Sequence, residues 1–277
     1  MTETNWSHLW PKGKRAAFAL SFDYDGETWF LQDPEPVSMS HARYAAQVGV
    51  PLLLEMLKRE GLRTTFFVPL WTAQHHPDVI RAITGSGHEI GCHGDRHERL
   101  TELSLDQERD ILRRSLDGLE ALSGMRPVGY RAPYWKLSAH TLDLLREHGF
   151  RYSSNMMDHI VPYIHAGGPG DPLVELPVHW ILDDAPFFNY PNRPIRSPRE
   201  VLEIWNAEFL GLRARGGLCI VTCHPQLSAR PSRVDMVREL VRFVRGHADV
   251  WCATLAEVAD YWRSIGGGAD RAMVVMA

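Results

Sequence analysis

The chain has 277 residues, 44% of them hydrophobic and 23% charged. That excludes a disordered tail, a collagen-like fibre and a small stapled scaffold, and leaves ample length for a buried core. Lys plus Arg (30) nearly balance Asp plus Glu (34), for a net charge of -4. No basic run stands out, so nucleic acid is not an expected partner.

In chain order, MTETNWSHLWPKGKRAAFAL carries polar and charged residues where an export signal needs an apolar stretch. No run approaches the roughly 20 apolar residues of a membrane span. A cytoplasmic protein without a membrane partner is expected. RAAFALSFDYD (15–25) reads as a buried strand, 48–60 as a helix, RTTFFVPL (63–70) as a second strand and 77–85 as a short helix. HEIGCHG (88–94) reads as a third strand, and 106–123 as a helix with Asp106 placed to cap it. GYRAPY (129–134) follows as a strand, then a helix from Ser138 to Gly149. Further strands are expected at 151–156, 174–180, 217–224 and 250–255. Two connections, 26–46 and 157–173, read as long loops, and the glycine-rich 266–268 as a mobile end.

Strands alternating with helices indicate repeated βα units. Seven or eight of them in this length predict an α/β fold, a single closed or nearly closed (β/α) barrel domain over 1–277. Neither GxGxxG after the first strand nor GxxxxGK[ST] is present, which removes the usual nucleotide-binding reasons for an open sheet. The four cysteines, Cys92, Cys219, Cys223 and Cys252, lie in or beside apolar runs and are expected to be reduced and packed.

Chemistry-bearing residues gather at strand ends. Strand alternation puts Asp23 and Asp25 on one face and Phe22 and Tyr24 on the other. Two carboxylates there repel unless a cation or proton lies between them, the alternative being solvated loop aspartates. His93 and His97, four apart across Gly94, can turn both imidazoles toward one ion, and a carboxylate would complete an open metal set. Chance surface histidines are the competing account. Cys92 and Cys223 point away from their neighbouring histidines and read as packing. Arg131 in YRAPY can orient a carboxylate, and His224 in VTCHP titrates near neutrality as a proton donor must.

Together SFDYD, HGDRH, RAPY and VTCHP resemble the first, second, third and fifth motifs of the polysaccharide deacetylase family, also called the NodB homology or carbohydrate esterase family 4 group. The resemblance implies a distorted (β/α) barrel with a divalent metal, usually zinc, at its mouth. It implies Asp25, His93 and His97 as metal ligands, Asp23 as general base, Arg131 as the residue steering it and His224 as general acid. Tyr134, Trp180 and Asp184 are the expected substrate contacts, with Asp183 beside them.

Tyr24 separates the two aspartates, and Gly94 stands where Ser or Thr is usual. These departures, with HPQLSARP, look like the branch of cyclic imide hydrolases, allantoinase-like enzymes and a peptidoglycan deacetylase homologue. The expected activity is therefore metal-dependent hydrolysis of a non-peptide C–N bond in a small cyclic amide or imide. An N-acetylated sugar, peptidoglycan or polysaccharide is the alternative substrate, and a non-catalytic metal- or sugar-binding module the third reading. The long loops, with Trp29, Phe30 and DDAPFFNY, would form a lid or a subunit contact. A homo-oligomer is the expected assembly.

Overall fold

The computed structural model describes residues 5–166, 171–189, 194–266 and 275–276. Its elements in chain order are β1 (Ala16–Asp23), α1 (Pro36–Tyr44), α2 (Val50–Glu60), β2 (Thr65–Val68), α3 (Leu70–His75), α4 (Pro77–Gly85), β3 (Glu89–Cys92), α5 (Leu105–Ser123), β4 (Gly129–Tyr130), α6 (Thr141–Glu147) and β5 (Tyr152–Ser153). They continue through β6 (Tyr163–His165), β7 (Val174–Glu175), α7 (Ala185–Phe188), α8 (Pro198–Arg215), β8 (Leu218–Cys223), α9 (Pro225–Ser228), α10 (Pro231–Arg245), β9 (Val250–Cys252), α11 (Leu255–Ser264) and β10 (Val275–Met276).

One curled sheet runs β10-β6-β7-β5-β4-β3-β2-β1-β8, with β9 paired to the start of β1. Every pairing from β5–β7 through β4, β3, β2 and β1 to β8 is parallel, and β6 alone runs antiparallel to β7. Isolated bonds take the place of a ladder at the seam: Leu218 donates to the Ile160 carbonyl, and Asp183 bridges Thr222. This is the expected α/β architecture in its distorted form.

All eight residues of β1 are buried, and alternation divides them between two layers. Phe18, Leu20, Phe22 and Tyr24 join the core beneath the helices, whereas Ala17 and Ala19 face the lumen with Phe67, Leu218 and Ile220. The small lumen residues leave room for larger groups near the mouth. Gly91 does the same, since a Cβ there would stand 2.5 Å from the Phe67 ring. Cys92, Cys219 and Cys223 are free and buried, and Cys252 is free and partly buried. Burial pushes the Cys92 thiol up to about 12, so packing is its work.

Several boundaries differ from the sequence reading. Ser104, not Asp106, caps α5, closing a capping box with Gln107. The strand foreseen over 129–134 ends at Tyr130, because Pro133 starts a 3₁₀ turn in which Tyr134 and Trp135 take positive φ. The helix foreseen from Ser138 begins at Thr141. The connection 26–46 is not a loop. It holds a 3₁₀ turn, Gly26–Phe30, and α1, whose start is capped by the Glu35 carboxylate and favoured by Pro36. Likewise 157–173 contains β6, while 167–170 of its glycine-rich stretch and 267–268 of the final one lie outside the described residues.

Candidate metal centre and active site

Because the inner strands are parallel, the ends of β1, β3, β4 and β8 open on one side of the sheet, and the singled-out residues meet there. Asp25, His93 and His97 are all buried, and one ligand atom from each lies within 4.8 Å of the others. Asp25 Oδ1 is 3.3 Å from His93 Nε2 and 3.7 Å from His97 Nε2. The His93 Nδ1–H donates to the Arg131 carbonyl at 2.7 Å, which leaves the Nε2 lone pair turned toward Asp25. His97 arrives through a left-handed backbone, φ 61, that folds HGDRH back on itself.

Glu98 braces this turn by accepting from the Asp95 and Arg96 amides. Gly94 fits the brace: its φ is +75, and a Cβ there would stand 2.9 Å from the Glu98 carboxylate. The residue that departs from the usual motif is thus required by the loop. Tyr24 has an equally local reason, since its ring enters the core and its N–H bonds the Phe67 carbonyl.

The centre favours a positive charge. Burial works against ionisation of Asp25, but His97, His93 and His224 outweigh it and hold its carboxyl down at about 2. Burial lowers His97 to about 4. For His93 burial is outweighed by the close carboxylate of Asp25 and the charge of Asp23, so its imidazole is raised. Asp25 Oδ1 is buried without a hydrogen-bond donor. An orphaned carboxylate oxygen of this kind costs several kcal/mol unless a cation or proton meets it, roughly 1–3 even by mutational measures. One oxygen and two imidazole nitrogens suit a divalent ion of the zinc type.

Beside the triad, Arg131 is fully buried. Its Nη1 donates to Asp23 Oδ1 at 2.7 Å and to Ser21 Oγ at 2.9 Å, and its Nη2 to Ser154 Oγ at 3.0 Å. The guanidinium lies over the Phe67 ring, 4.2 Å from its centroid, so Gly91 holds Arg131 indirectly. On the opposite side His224 Nε2 is 3.7 Å from Asp25 Oδ2, and its Nδ1–H donates to Asp184 Oδ1 at 2.6 Å. Asp184 Oδ2 accepts from the His224 amide at 2.8 Å and the Ser228 hydroxyl at 2.5 Å. Burial works to lower His224, but Asp184, Asp183 and Asp25 raise it well above the usual imidazole value. Burial pushes Asp183 up to about 7 despite the opposing charge of His224.

Asp184, expected from the sequence as a substrate contact, lies behind His224 and is fully buried. Trp180 is 45% exposed and packs at a tilt on Trp135, centroids 4.5 Å apart, while Tyr134 sits edge-on to His97 at 4.5 Å. Trp29 lies 5.1 Å from the His224 ring. Asp95 pairs with Arg114 and Glu27 with His76, so neither of these two nearby carboxylates is free of a partner. Sequence reasoning missed Ser21, Ser154 and Ser228. Only Ser228 carried a local signal, standing four residues after His224.

A family model described as polysaccharide deacetylase matches residues 15–153. The peptidoglycan deacetylase of Helicobacter pylori is 30% identical over 281 residues, covering 89% of this chain and 96% of that protein. A solved protein from Mycobacterium smegmatis, described provisionally as a polysaccharide deacetylase, superposes with a TM-score of 0.91 at 40% identity, covering 100% of this chain and 97% of that one. Puue allantoinase superposes with a TM-score of 0.82 at 25% identity, covering 92% of each chain.

Proposed function

The chain belongs to the polysaccharide deacetylase family, and from that premise we propose that it is a metal-dependent hydrolase that removes acetyl groups from N-acetylated sugars. The observation that carries this reading is the buried Asp25–His93–His97 set flanked by the Asp23–Arg131 and His224–Asp184 pairs. Asp25, His93 and His97 would hold the ion, zinc by the chemistry of the donors, and such an ion acidifies water and polarises an amide carbonyl.

The chain's own groups do the rest. Arg131 occupies Oδ1 of Asp23, leaving Oδ2 to take the proton from the attacking water. The backbone N–H of Tyr134, held at φ 59 and ψ 9, would steady the oxyanion. His224, kept protonated by Asp184, would pass its proton to the departing nitrogen. Trp180 and Tyr134 supply aromatic surface for a sugar ring. A non-catalytic module would have no use for the paired base and acid.

Resemblance to Puue allantoinase and the placing of Trp29 against His224 favour a second reading, hydrolysis of a small cyclic amide or imide. The zinc-loaded protein should release acetate from N-acetylglucosamine oligomers with a higher kcat/KM than it shows for allantoin or a cyclic imide. The reverse order would replace the first reading with the second and leave the metal chemistry intact.

The acid role makes a pH prediction. A proton donor is active below its own pKa, so kcat should fall on the alkaline side as His224 loses its proton. Asp184→Asn removes the carboxylate that holds that pKa up, and the alkaline limb of kcat should move to lower pH. A limb that stays in place would exclude His224 as the group responsible.

A further inference from the structure

Tyr134 and Trp135 both take left-handed backbone, φ 59 and φ 51, although neither is a glycine, asparagine or aspartate. Two such residues in succession persist only where their surroundings over-determine them. Hydrogen bonds supply part of the hold. The Ala132 N–H donates to Asn155 Oδ1 at 2.8 Å, the Trp135 N–H to the Ala132 carbonyl at 3.0 Å and the Lys136 N–H to the Pro133 carbonyl at 3.2 Å. None of these engages the Tyr134 N–H, which has no acceptor among the described residues.

The Tyr134 side chain is gripped from the metal-binding loop. His97 meets its ring edge-on, centroids 4.5 Å apart, and Arg99, two residues further along the same loop, lays its guanidinium over that ring at 4.6 Å from the centroid. The loop is a firm base: Leu100, next in the chain, is buried, and Glu98 accepts from the Asp95 and Arg96 amides. Arg99 has little else to fix it. Its side chain is 40% exposed, and its one ion pair among the described residues is a loose 3.9 Å approach to Glu102, 69% exposed. A pair so distant and so wet contributes little, whereas a cation over a tyrosine face is attracted by the ring itself. Trp135 is held separately, with the Arg131 guanidinium 6.0 Å and the Trp180 ring 4.5 Å from its centroid.

We infer that Arg99 is a positioning residue: stacked on Tyr134, it holds the left-handed turn at the mouth and thereby aims the Tyr134 N–H at the oxyanion. This rests on the amide-hydrolase reading of the site and adds to it a residue that acts only through another.

Arg99→Gln removes the charge and keeps much of the length. On the full, zinc-loaded chain it should lower kcat for acetate release from N-acetylglucosamine oligomers about tenfold, the equivalent of about 1.4 kcal/mol and within reach of a half-exposed stack of cation on ring. KM and zinc stoichiometry should stay at those of the unmodified protein, and Arg99→Lys should recover most of the rate. In a Tyr134→Gly background, where no ring is left to grip, Arg99→Gln should change kcat by less than about twofold. Amide hydrogen exchange reads the turn without turnover: at Trp135 and Lys136 it should quicken in Arg99→Gln but not in Arg99→Lys. Unchanged exchange, or an unchanged kcat, overturns the assignment. So does a loss confined to KM, which would make Arg99 a substrate contact, or a loss that follows zinc, which would make it a support of the ligand loop. An undiminished loss in the Tyr134→Gly background overturns it too. Absent acetate release by the unmodified protein is instead a failure of the deacetylase reading, and the exchange comparison then decides the hold of Arg99 on the turn.

Discussion

Asp23→Asn should lower kcat by about 10³-fold, within the range ascribed to a positioned general base, while zinc stoichiometry stays at that of the unmodified protein. Asparagine keeps an oxygen to accept from Arg131, so the contacts of Arg131 with Ser21 and Ser154 survive and the lumen need not repack. Removing Arg131 instead would confound the result. It would leave Asp23 buried and unpaired, a change that costs roughly 3–5 kcal/mol. The check is single-turnover kinetics beside elemental analysis. Near-normal turnover in Asp23→Asn would move the base role elsewhere, with Asp95 and Glu27 the nearest candidates despite their ion pairs.

His93→Ala should abolish both metal retention and turnover. The imidazole is fixed between the Arg131 carbonyl and Asp25, and nothing in the described structure offers a replacement nitrogen at that point. Ligand binding stabilises a folded protein by RT ln(1 + [L]/Kd), about 4 kcal/mol at a thousandfold excess over Kd. Zinc should therefore raise the melting temperature of the unmodified chain and of Asp23→Asn, but not that of His93→Ala. A zinc-dependent rise that survives in His93→Ala would locate the ion on other side chains.

The site was legible in the sequence to the extent that each residue sits at the end of a strand. Strand period and parallel order are enough to bring Asp23, Asp25, His93, Arg131 and His224 to one mouth. The groups that hold them come from other strands, at separations a local pattern cannot register: Ser21 and Ser154 on Arg131, and Phe67 beneath it through the gap left by Gly91. Asp184 was visible in HWILDD, but its direction depended on the bridge between Asp183 and Thr222, which turns it inward toward His224. Helix α1 was hidden for a different reason. Its cap is Glu35, a weak capping type, so the usual start signal was missing. YRAPY looked like a strand because neither Tyr134 nor Trp135 is a residue type expected to adopt positive φ.

The seam has a consequence for persistence. β1 and β8 share a ladder of six paired positions, whereas the far edge of β8 is held by one amide bond to Ile160 and one bridge to Asp183. Local opening begins where few backbone bonds must break, and here that place adjoins Asp184. Such an opening withdraws the partner of His224 while Asp25, His93 and His97, anchored on β1 and the β3 loop, stay together. Capacity to retain an ion and readiness to deliver a proton thus rest on parts of the barrel held by different numbers of backbone bonds.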